Sequence, residues 1–266
     1  MIEYIYLYLL SPLHTGGTTQ EGNLLGIARE SHTNLPYIPS STVRGKVRSI
    51  VTDKDIKHQL FGNDLQDNQQ LEQGDIWIGD ASILWLPVPS LSHSVVWISC
   101  PMLLQRWQRL QPDQLSIPPE YSCNFNNGSA VYLKDAIIKD TELKPWTNSE
   151  QFVPTFDATS SINRLLVLPD KHCATLIQMS LWRQVKIKLD DHKSVDGGFR
   201  YEEAIPPDTL MYLPWGITSQ ANGKSEQSAQ DFKQLLAANE ILQIGGQESS
   251  GRGFVQQWMP EKNDKS

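Results

Sequence analysis

The chain has 266 residues, of which 39% are hydrophobic and 20% are charged, and its formal net charge is −7. These fractions are typical of a globular protein with a sizeable core and exclude a disordered or fibrous chain. No apolar run reaches the roughly 18 residues of a membrane span, and no basic flank or export signal precedes the first apolar stretch. The three cysteines Cys100, Cys123 and Cys173 form no CxxC pair. We therefore expect a cytoplasmic protein with unpaired thiols and no zinc site.

The first predicted elements lie before residue 60. Alternating apolar residues at positions 2–10 predict a strand, and the Gly- and Thr-rich segment from Pro12 to Pro39 predicts a long loop. Ser41 and Thr42 are predicted N-caps of a helix over residues 43–52. Arg44 and Arg48 stand four residues apart and project together from it. The negative net charge argues mildly against nucleic acid, but a local basic helix would suffice to bind it. The alternative is that these cations are a solvated helix surface.

The remaining pattern predicts mostly strands. A helix is expected to begin at Pro101, a loop to cover residues 111–130, and a second helix to cover residues 228–238. Residues 176–189 alternate and predict a long strand, followed by a hairpin-like tip at 190–198 and a returning strand at 199–203. Further strands are expected at 76–78, 82–86, 95–99, 241–244 and 254–258. This order favours an α+β sandwich of ferredoxin-like type, a fold that can present an open sheet to single-stranded RNA.

Few residues suggest chemistry. The motifs of zinc peptidases, serine hydrolases, P-loop enzymes and EF-hands are absent, and the six histidines are dispersed. Two segments contain clustered glycines: His14-Thr-Gly-Gly, and residues 245–253, which we call the glycine loop. Four glycines in the glycine loop allow a backbone to approach a ligand closely, and Arg252 offers a charged fork for phosphate. The alternative is an ordinary turn between strands.

Ordered motifs along the chain resemble a known family. They include His14-Thr-Gly-Gly, the segment from Ile27 to Gly45, Gly79-Asp80-Ala81, residues 86–91 and 96–101, Tyr201-Glu202-Glu203, residues 205–209 and the glycine loop. In this order they resemble RAMP-superfamily proteins of type III CRISPR complexes. More narrowly, they are similar to the subunit that is repeated along the backbone of the type III-B complex.

The resemblance implies a modified RNA-recognition fold with inserted loops and a protruding thumb hairpin. It implies one domain over residues 1–266, with a ferredoxin-like core at about 1–60, 176–189 and 227–259, insertions at about 61–175, and the thumb at about 190–200. The loop at 111–130 is the rival position for the thumb. The expected partners are a CRISPR guide RNA, target RNA, neighbouring copies of the chain and other type III subunits, and no membrane. The residues expected to bind RNA are His14, Gly16, Arg29, Ser41, Thr42, Arg44, Gly45, Arg48, Gly245, Gly246, Glu248, Gly251, Arg252 and Gly253.

The sequence departs from RNA-cleaving members of this family at one position. In those relatives an aspartate cleaves target RNA with a divalent metal, three residues before the equivalent of Ile27. Here that residue is Leu24, which can neither bind a metal nor transfer a proton. We therefore expect no catalytic residue, no metal site and no cofactor, with Mg²⁺ needed only if this loop is active.

Three alternatives to an RNA-binding scaffold remain at this point. The first is an active nuclease subunit that uses Glu21. The second is a CRISPR RNA-processing endonuclease with His14 or His32 as general base. The third is an adaptor that binds only proteins.

Overall fold

A computed structural model describes residues 2–21, 24–63, 72–112, 114–125, 128–221 and 223–260, with the side chains of 17–21, 189 and 220 left out. Its helices are α1 (Ser40–Ile50), α2 (Lys54–Phe61), α3 (Pro101–Gln108), α4 (Asp170–Met179) and α5 (Ser225–Ala237). No helix in this part of the chain is long and apolar enough to cross a bilayer.

Sixteen strands lie within the described ranges. Those of the first half are β1 (Glu3–Leu9), β2 (Gly16–Glu21), β3 (Leu24–Ile27), β4 (Ile76–Ile78), β5 (Ser82–Ser90), β6 (Ser94–Ser99), β7 (Ser122–Cys123) and β8 (Val131–Leu133). Those of the second half are β9 (Ala136–Ile138), β10 (Lys144–Pro145), β11 (Leu165–Val167), β12 (Trp182–Leu189), β13 (Val195–Ala204), β14 (Leu210–Ile217), β15 (Ile241–Gln243) and β16 (Phe254–Trp258).

The larger of two sheets is built around the N-terminal strand. β1 lies between β14 and β16 and is antiparallel to both, so that Tyr6 stands opposite Tyr212 on one side and Trp258 on the other. The sheet runs in the order β10-β7-β11-β6-β5-β14-β1-β16-β15, and β4 pairs with β14 while β8 and β9 extend from β5. β1 and β14 are neighbours in this sheet although β1 ends at Leu9 and β14 begins only at Leu210.

Both faces of the larger sheet are covered. Along β1 the residues Ile5, Leu7 and Leu9 lie in an aliphatic core, whereas Tyr6 and Tyr8 lie in an aromatic core on the other face. Successive side chains of a strand point to opposite faces, so the alternation at the N-terminus supplies both cores at once. The predicted first strand is confirmed.

A second, four-stranded sheet has the order β12-β13-β3-β2. β12 and β13 form a long antiparallel hairpin, and β13 continues the sheet by pairing with β3 in parallel. The strands β2 and β3 lie inside the segment from Pro12 to Pro39, so the prediction of one long loop there is wrong. This segment is mostly polar and shows little alternation of apolar and polar residues. Its strands form because β3 pairs with β13 of the hairpin and β2 pairs with β3, which the sequence pattern does not reveal.

Two other sequence predictions are wrong in detail. Residues 176–179 end the helix α4, because Cys173, Leu176 and Ile177 are buried at helical spacing. β12 therefore begins only at Trp182 and belongs to the second sheet, outside the core sheet expected for residues 176–189. Ser41 and Thr42 are not N-caps, since α1 already begins at Ser40. The amide of Ser40 donates instead to the carboxylate of Asp80, at 2.6 Å.

Candidate functional site

The glycine loop is fixed against the segment that contains His14. The amide of Gly246 donates to the carbonyl of His14 at 2.9 Å, and the amide of Gly253 donates to the carbonyl of Pro12 at 3.0 Å. Gly245 has φ +82°, and a Cβ there would meet the His14 carbonyl oxygen at 2.4 Å. Glycine is required at this point because the two backbones touch. The two glycine-rich segments that the sequence singled out are therefore neighbours in the fold.

His14 is buried beneath this contact. Its ring Nδ1 lies 2.7 Å from the carbonyl oxygen of Glu203 in β13. The ring therefore connects the segment that precedes β2 to the hairpin. Gly16 opens β2, and nothing lies within 4 Å of the position that its Cβ would occupy. Glu248 and Gly251 are exposed at the outer turn of the glycine loop.

Arg252 is the buried centre of the glycine loop. Its guanidinium lies 4.5 Å from the centre of the Trp182 ring, donates to Gln184 Oε1 at 2.7 Å and also donates to Gln247. One of its Nη atoms lies 3.3 Å from the carboxylate of Glu202. The sequence suggested that Arg252 faces phosphate. The structure instead places it inside the protein, where it joins the glycine loop to the hairpin.

Two adjacent carboxylates in β13, Glu202 and Glu203, lie at the base of the hairpin and are buried. Because successive residues alternate, they serve opposite faces of the strand. Glu202 pairs with Lys186 at 3.1 Å, with Arg200 at 2.8 Å and with Arg252. Burial alone would raise the pKa of Glu202, but the positive charges of Lys186 and Arg200, which are paired with it, hold this pKa below its ordinary value.

Glu203 serves the other face in the same way. Its two carboxylate oxygens pair with different arginines, Arg29 at 2.6 Å and Arg183 at 2.9 Å. We call Glu202 and Glu203, with their five cationic partners, the twin-glutamate cluster. Through Arg29 and Arg252 it joins the segment from Pro12 to Pro39 and the glycine loop to the hairpin, and these three parts lie far apart in the sequence. The motif Tyr201-Glu202-Glu203 marked its position, but no feature of the sequence predicted its partners.

Beyond this cluster the hairpin has two chemically different faces. Val185 stands opposite Tyr201 and Ile187 opposite Phe199, and the rings of Phe199 and Tyr201 meet edge to face at 5.6 Å. The exposed apolar side chains of the hairpin are Val185, Ile187, Val195, Phe199 and Tyr201. The opposite face presents cations, among them Lys186 and Arg200. An exposed apolar face of this kind marks an interaction surface.

Leu24, which the family resemblance places where RNA-cleaving relatives have an aspartate, lies beside this apolar face. Leu24 stands opposite Tyr201 in the parallel pair of β3 and β13. Glu21 ends β2 opposite Leu24, and its side chain is outside what the structure describes. Among the described residues, no three His, Cys, Asp or Glu side chains come together as metal ligands.

The other candidate general base, His32, is an exposed residue with partners of its own. Its Nε2 lies 3.0 Å from an Nη of Arg106, and Arg106 also donates to both carboxylate oxygens of Glu30. The structure therefore gives His14 and His32 separate polar partners and does not bring them together.

The cations of α1 are not directed to solvent as the sequence suggested. Arg44 donates to the carbonyls of Phe61 at 2.8 Å and Ile76 at 2.9 Å, and its guanidinium lies 5.3 Å from the Phe61 ring centre. Arg48 donates to the carbonyl of Gly62 at 3.3 Å. Both arginines thus hold the C-terminal end of α2, where unpaired carbonyls favour cations. Ser41 and Gly45 occupy the exposed face of α1, and Thr42 is half-buried.

We expect Arg44→Gln to lower the free energy of unfolding by about 2 kcal/mol, because two carbonyls lose a charged donor. Burial, together with the nearby Arg48, lowers the pKa of Arg44. Urea denaturation measures the effect, and Lys46→Gln is the matched control, since Lys46 has no side-chain partner among the described residues. Equal stability of the two variants would show that Arg44 is not structural.

Charge reversal at Arg44 or Arg252 would disturb the fold before it tested a phosphate contact.

The sequence of this chain matches the RAMP superfamily over residues 6–256. With its two sheets joined through the glycine loop and the twin-glutamate cluster, the chain belongs to this superfamily. The resemblance inferred from the motifs is thereby confirmed.

Three relatives show how far the similarity extends. The CRISPR system Cmr endoribonuclease Cmr4 of Pyrococcus furiosus is 29% identical over 282 residues, which cover 96% of this chain and 94% of that protein. A crystal structure of Cmr4 has a TM-score of 0.74 at 25% identity and covers 98% of this chain and 99% of that one. A chain in the cryo-EM structure of the type III-B Cmr-beta complex bound to cognate target RNA has a TM-score of 0.77 at 20% identity, with 97% of each chain covered. At that identity the likeness concerns the fold alone.

Proposed function

We propose that this chain is a backbone subunit of a type III CRISPR ribonucleoprotein, which binds the guide RNA and positions complementary target RNA for antiviral defence. The observation that carries the proposal is the match to Cmr4 along almost the whole of both proteins. The partners are then guide RNA, target RNA, neighbouring copies of the chain and other type III subunits. A solved structure of oligomeric Cmr4 from Pyrococcus furiosus, with a TM-score of 0.72, has the same fold.

The strand order supports a ferredoxin-like core within a single domain. Four neighbouring strands of the larger sheet have the spatial order β16-β1-β14-β4. Along the chain, α1 lies between β1 and β4, and α5 lies between β14 and β16. This is the β-α-β-β-α-β connection of the ferredoxin-like fold. β4 belongs to this core although it lies within the segment 61–175, and the rest of that segment, which adds β5 to β11 and α3, is then an insertion.

The hairpin of β12 and β13 is the best candidate for the thumb. Its strands are long, its turn lies at residues 190–194, and its side chains are mostly exposed. The rival segment 111–130 supports a different role, because Ser122 and Cys123 form β7, which pairs with β10 and β11 of the larger sheet. The apolar face with Phe199 and Tyr201 suits contact with nucleobases, which stack on aromatic side chains.

We further propose that the subunit holds target RNA without cutting it and needs no cofactor. Cmr4 is named an endoribonuclease, whereas this chain has Leu24 at the position of the cleaving aspartate. Mg²⁺ would be required only if Glu21 served in its place. We propose likewise that RNA is bound by the exposed or half-buried residues Gly16, Ser41, Thr42, Gly45 and Glu248.

We expect the assembled complex, incubated with matched target RNA and Mg²⁺, to leave that RNA intact, because a leucine side chain offers no metal ligand. Denaturing gel electrophoresis of labelled target measures this. The control is the same complex with Glu21→Ala, which should behave identically. Fragments at regular intervals that disappear in Glu21→Ala would contradict the proposal and identify Glu21 as catalytic.

A guide-processing endonuclease is the remaining enzymatic alternative. It would require His14 or His32 as general base, but His14 is buried against Glu203 and His32 contacts Arg106. Purified protein should therefore leave repeat RNA uncut in the absence of metal. Cleavage that is lost in His32→Ala would support the alternative.

A further inference from the structure

The twin-glutamate cluster contains more positive than negative charge. Five cations surround two carboxylates, in a chain whose formal net charge is −7. A local surplus of this kind attracts a polyanion even when the whole protein is acidic. The cations differ, however, in whether they can reach one. Arg252 is only 3% exposed, whereas the side chains of Arg183 and Arg200 are 55% and 59% exposed.

Arg183 and Arg200 are held in the same way. Arg183 uses Nε and one Nη to grip a single oxygen of Glu203, at 3.0 and 2.9 Å. Arg200 uses Nε and one Nη to grip a single oxygen of Glu202, at 3.0 and 2.8 Å. In both side chains the other Nη has no partner among the described residues. Each guanidinium therefore has one edge fixed to a buried carboxylate and another edge available to a ligand.

A guanidinium held in this manner is suited to phosphate. Its planar fork matches the geometry of phosphate oxygens, and fixing the side chain in advance reduces the entropy that binding would otherwise lose. Neither arginine was among the residues that the sequence predicted to bind RNA. The four arginines that were predicted, Arg29, Arg44, Arg48 and Arg252, instead donate to the protein's own carbonyl and carboxylate groups.

We propose that Arg183 and Arg200 each contact a backbone phosphate of bound RNA, at the base of the hairpin. This proposal rests on the RNA-binding role proposed above and specifies where the RNA backbone lies. In the pairing of β12 and β13, Arg183 stands opposite Glu203 and Arg200 opposite Lys186. The two arginines thus lie on opposite faces of the hairpin, about 10 Å apart along the strands. The phosphates are therefore bound on both sides of the hairpin, and the backbone passes its base.

The test measures binding of the full-length protein to a fluorescently labelled single-stranded RNA of mixed sequence, by anisotropy from about 50 to 200 mM salt. The variants are Arg183→Gln and Arg200→Gln. We expect each to weaken binding several-fold and to reduce the slope of log K against log salt by about 0.7, the value for one phosphate contact with a single strand. The double variant should lose about twice as much slope. Circular dichroism melting confirms that the variants are folded.

Arg109→Gln is the matched control, since Arg109 is an exposed arginine at the end of α3. Its affinity and salt slope should equal those of the wild type. Wild-type protein that fails to bind RNA would refute the proposed function itself. Wild-type binding with unchanged slope in both arginine variants would overturn only the present inference, as would an equal loss in Arg109→Gln.

Discussion

Replacing Glu202 by glutamine should lower the free energy of unfolding by about 3 kcal/mol, because a buried arginine loses its counter-charge. Glu202 is fully buried, and Arg252, one of its three partners, is buried as well. The glutamine keeps the shape and one acceptor oxygen, so the change removes charge with little change in volume. Because Lys186 and Arg200 are partly exposed and can turn to water, we expect the lower end of the range for broken buried ion pairs.

Urea denaturation followed by tryptophan fluorescence measures this effect, since Trp182 lies against Arg252. Glu248→Gln is the matched control, because Glu248 is exposed in the outer turn of the glycine loop. It should change stability by less than about 0.5 kcal/mol. If both variants were equally stable, the twin-glutamate cluster would not hold the hairpin to the glycine loop.

The same carboxylate predicts a pH dependence. The folded-state pKa of Glu202 lies below its ordinary value, so its ionised form stabilises the fold at pH values above the unfolded pKa. This stabilisation is lost as the pH falls through the folded pKa. We expect the wild type to lose more stability than Glu202→Gln as the pH is lowered from 7 to about 3, with most of the difference arising below the ordinary glutamate pKa of about 4.3. Parallel losses in the two proteins would contradict this account.

Gly253→Ala should destabilise the protein by about 3 kcal/mol. Gly253 has φ +79°, and an added Cβ would lie 2.0 Å from the carbonyl oxygen of Ile244. A left-handed alanine costs about 1–2 kcal/mol, and relieving the clash breaks the hydrogen bond from Ile244 to Gly253, at about 1 kcal/mol. That bond, at 2.7 Å, closes the glycine loop next to the paired strands β15 and β16.

Gly251→Ala separates the effect of the clash from the effect of the backbone conformation. Gly251 has φ +73°, but nothing lies within 4 Å of its added Cβ. We expect this variant to lose only about 1–2 kcal/mol. The comparison uses thermal and urea denaturation of both proteins, together with RNA binding. A Gly253 variant no less stable than the Gly251 variant would show that the close approach to Ile244 is unimportant.

Several elements were predictable because neighbouring residues decide them. The alternation of residues 2–10 predicted β1, and Pro101 predicted the start of α3. The structure also contains α5 and β16 close to their predicted positions. In contrast, α2 and β14 were missed, and residues 176–179 were assigned to a strand. In that segment the helical spacing of α4 runs directly into the alternation of β12, and the pattern alone does not separate the two.

The sequence by itself determined the family, the two glycine-rich segments and the leucine at position 24, because motif order and residue identity do not depend on folding. Only the tertiary structure decided which cations are available. Arg29 and Glu203 are separated by 174 residues, and Arg252 and Gln184 by 68. Whether an arginine faces solvent depends on which carbonyl or carboxylate the fold brings to it. That is why Arg44 and Arg252 are committed to the protein interior, while Arg183 and Arg200 present free edges at the base of the hairpin.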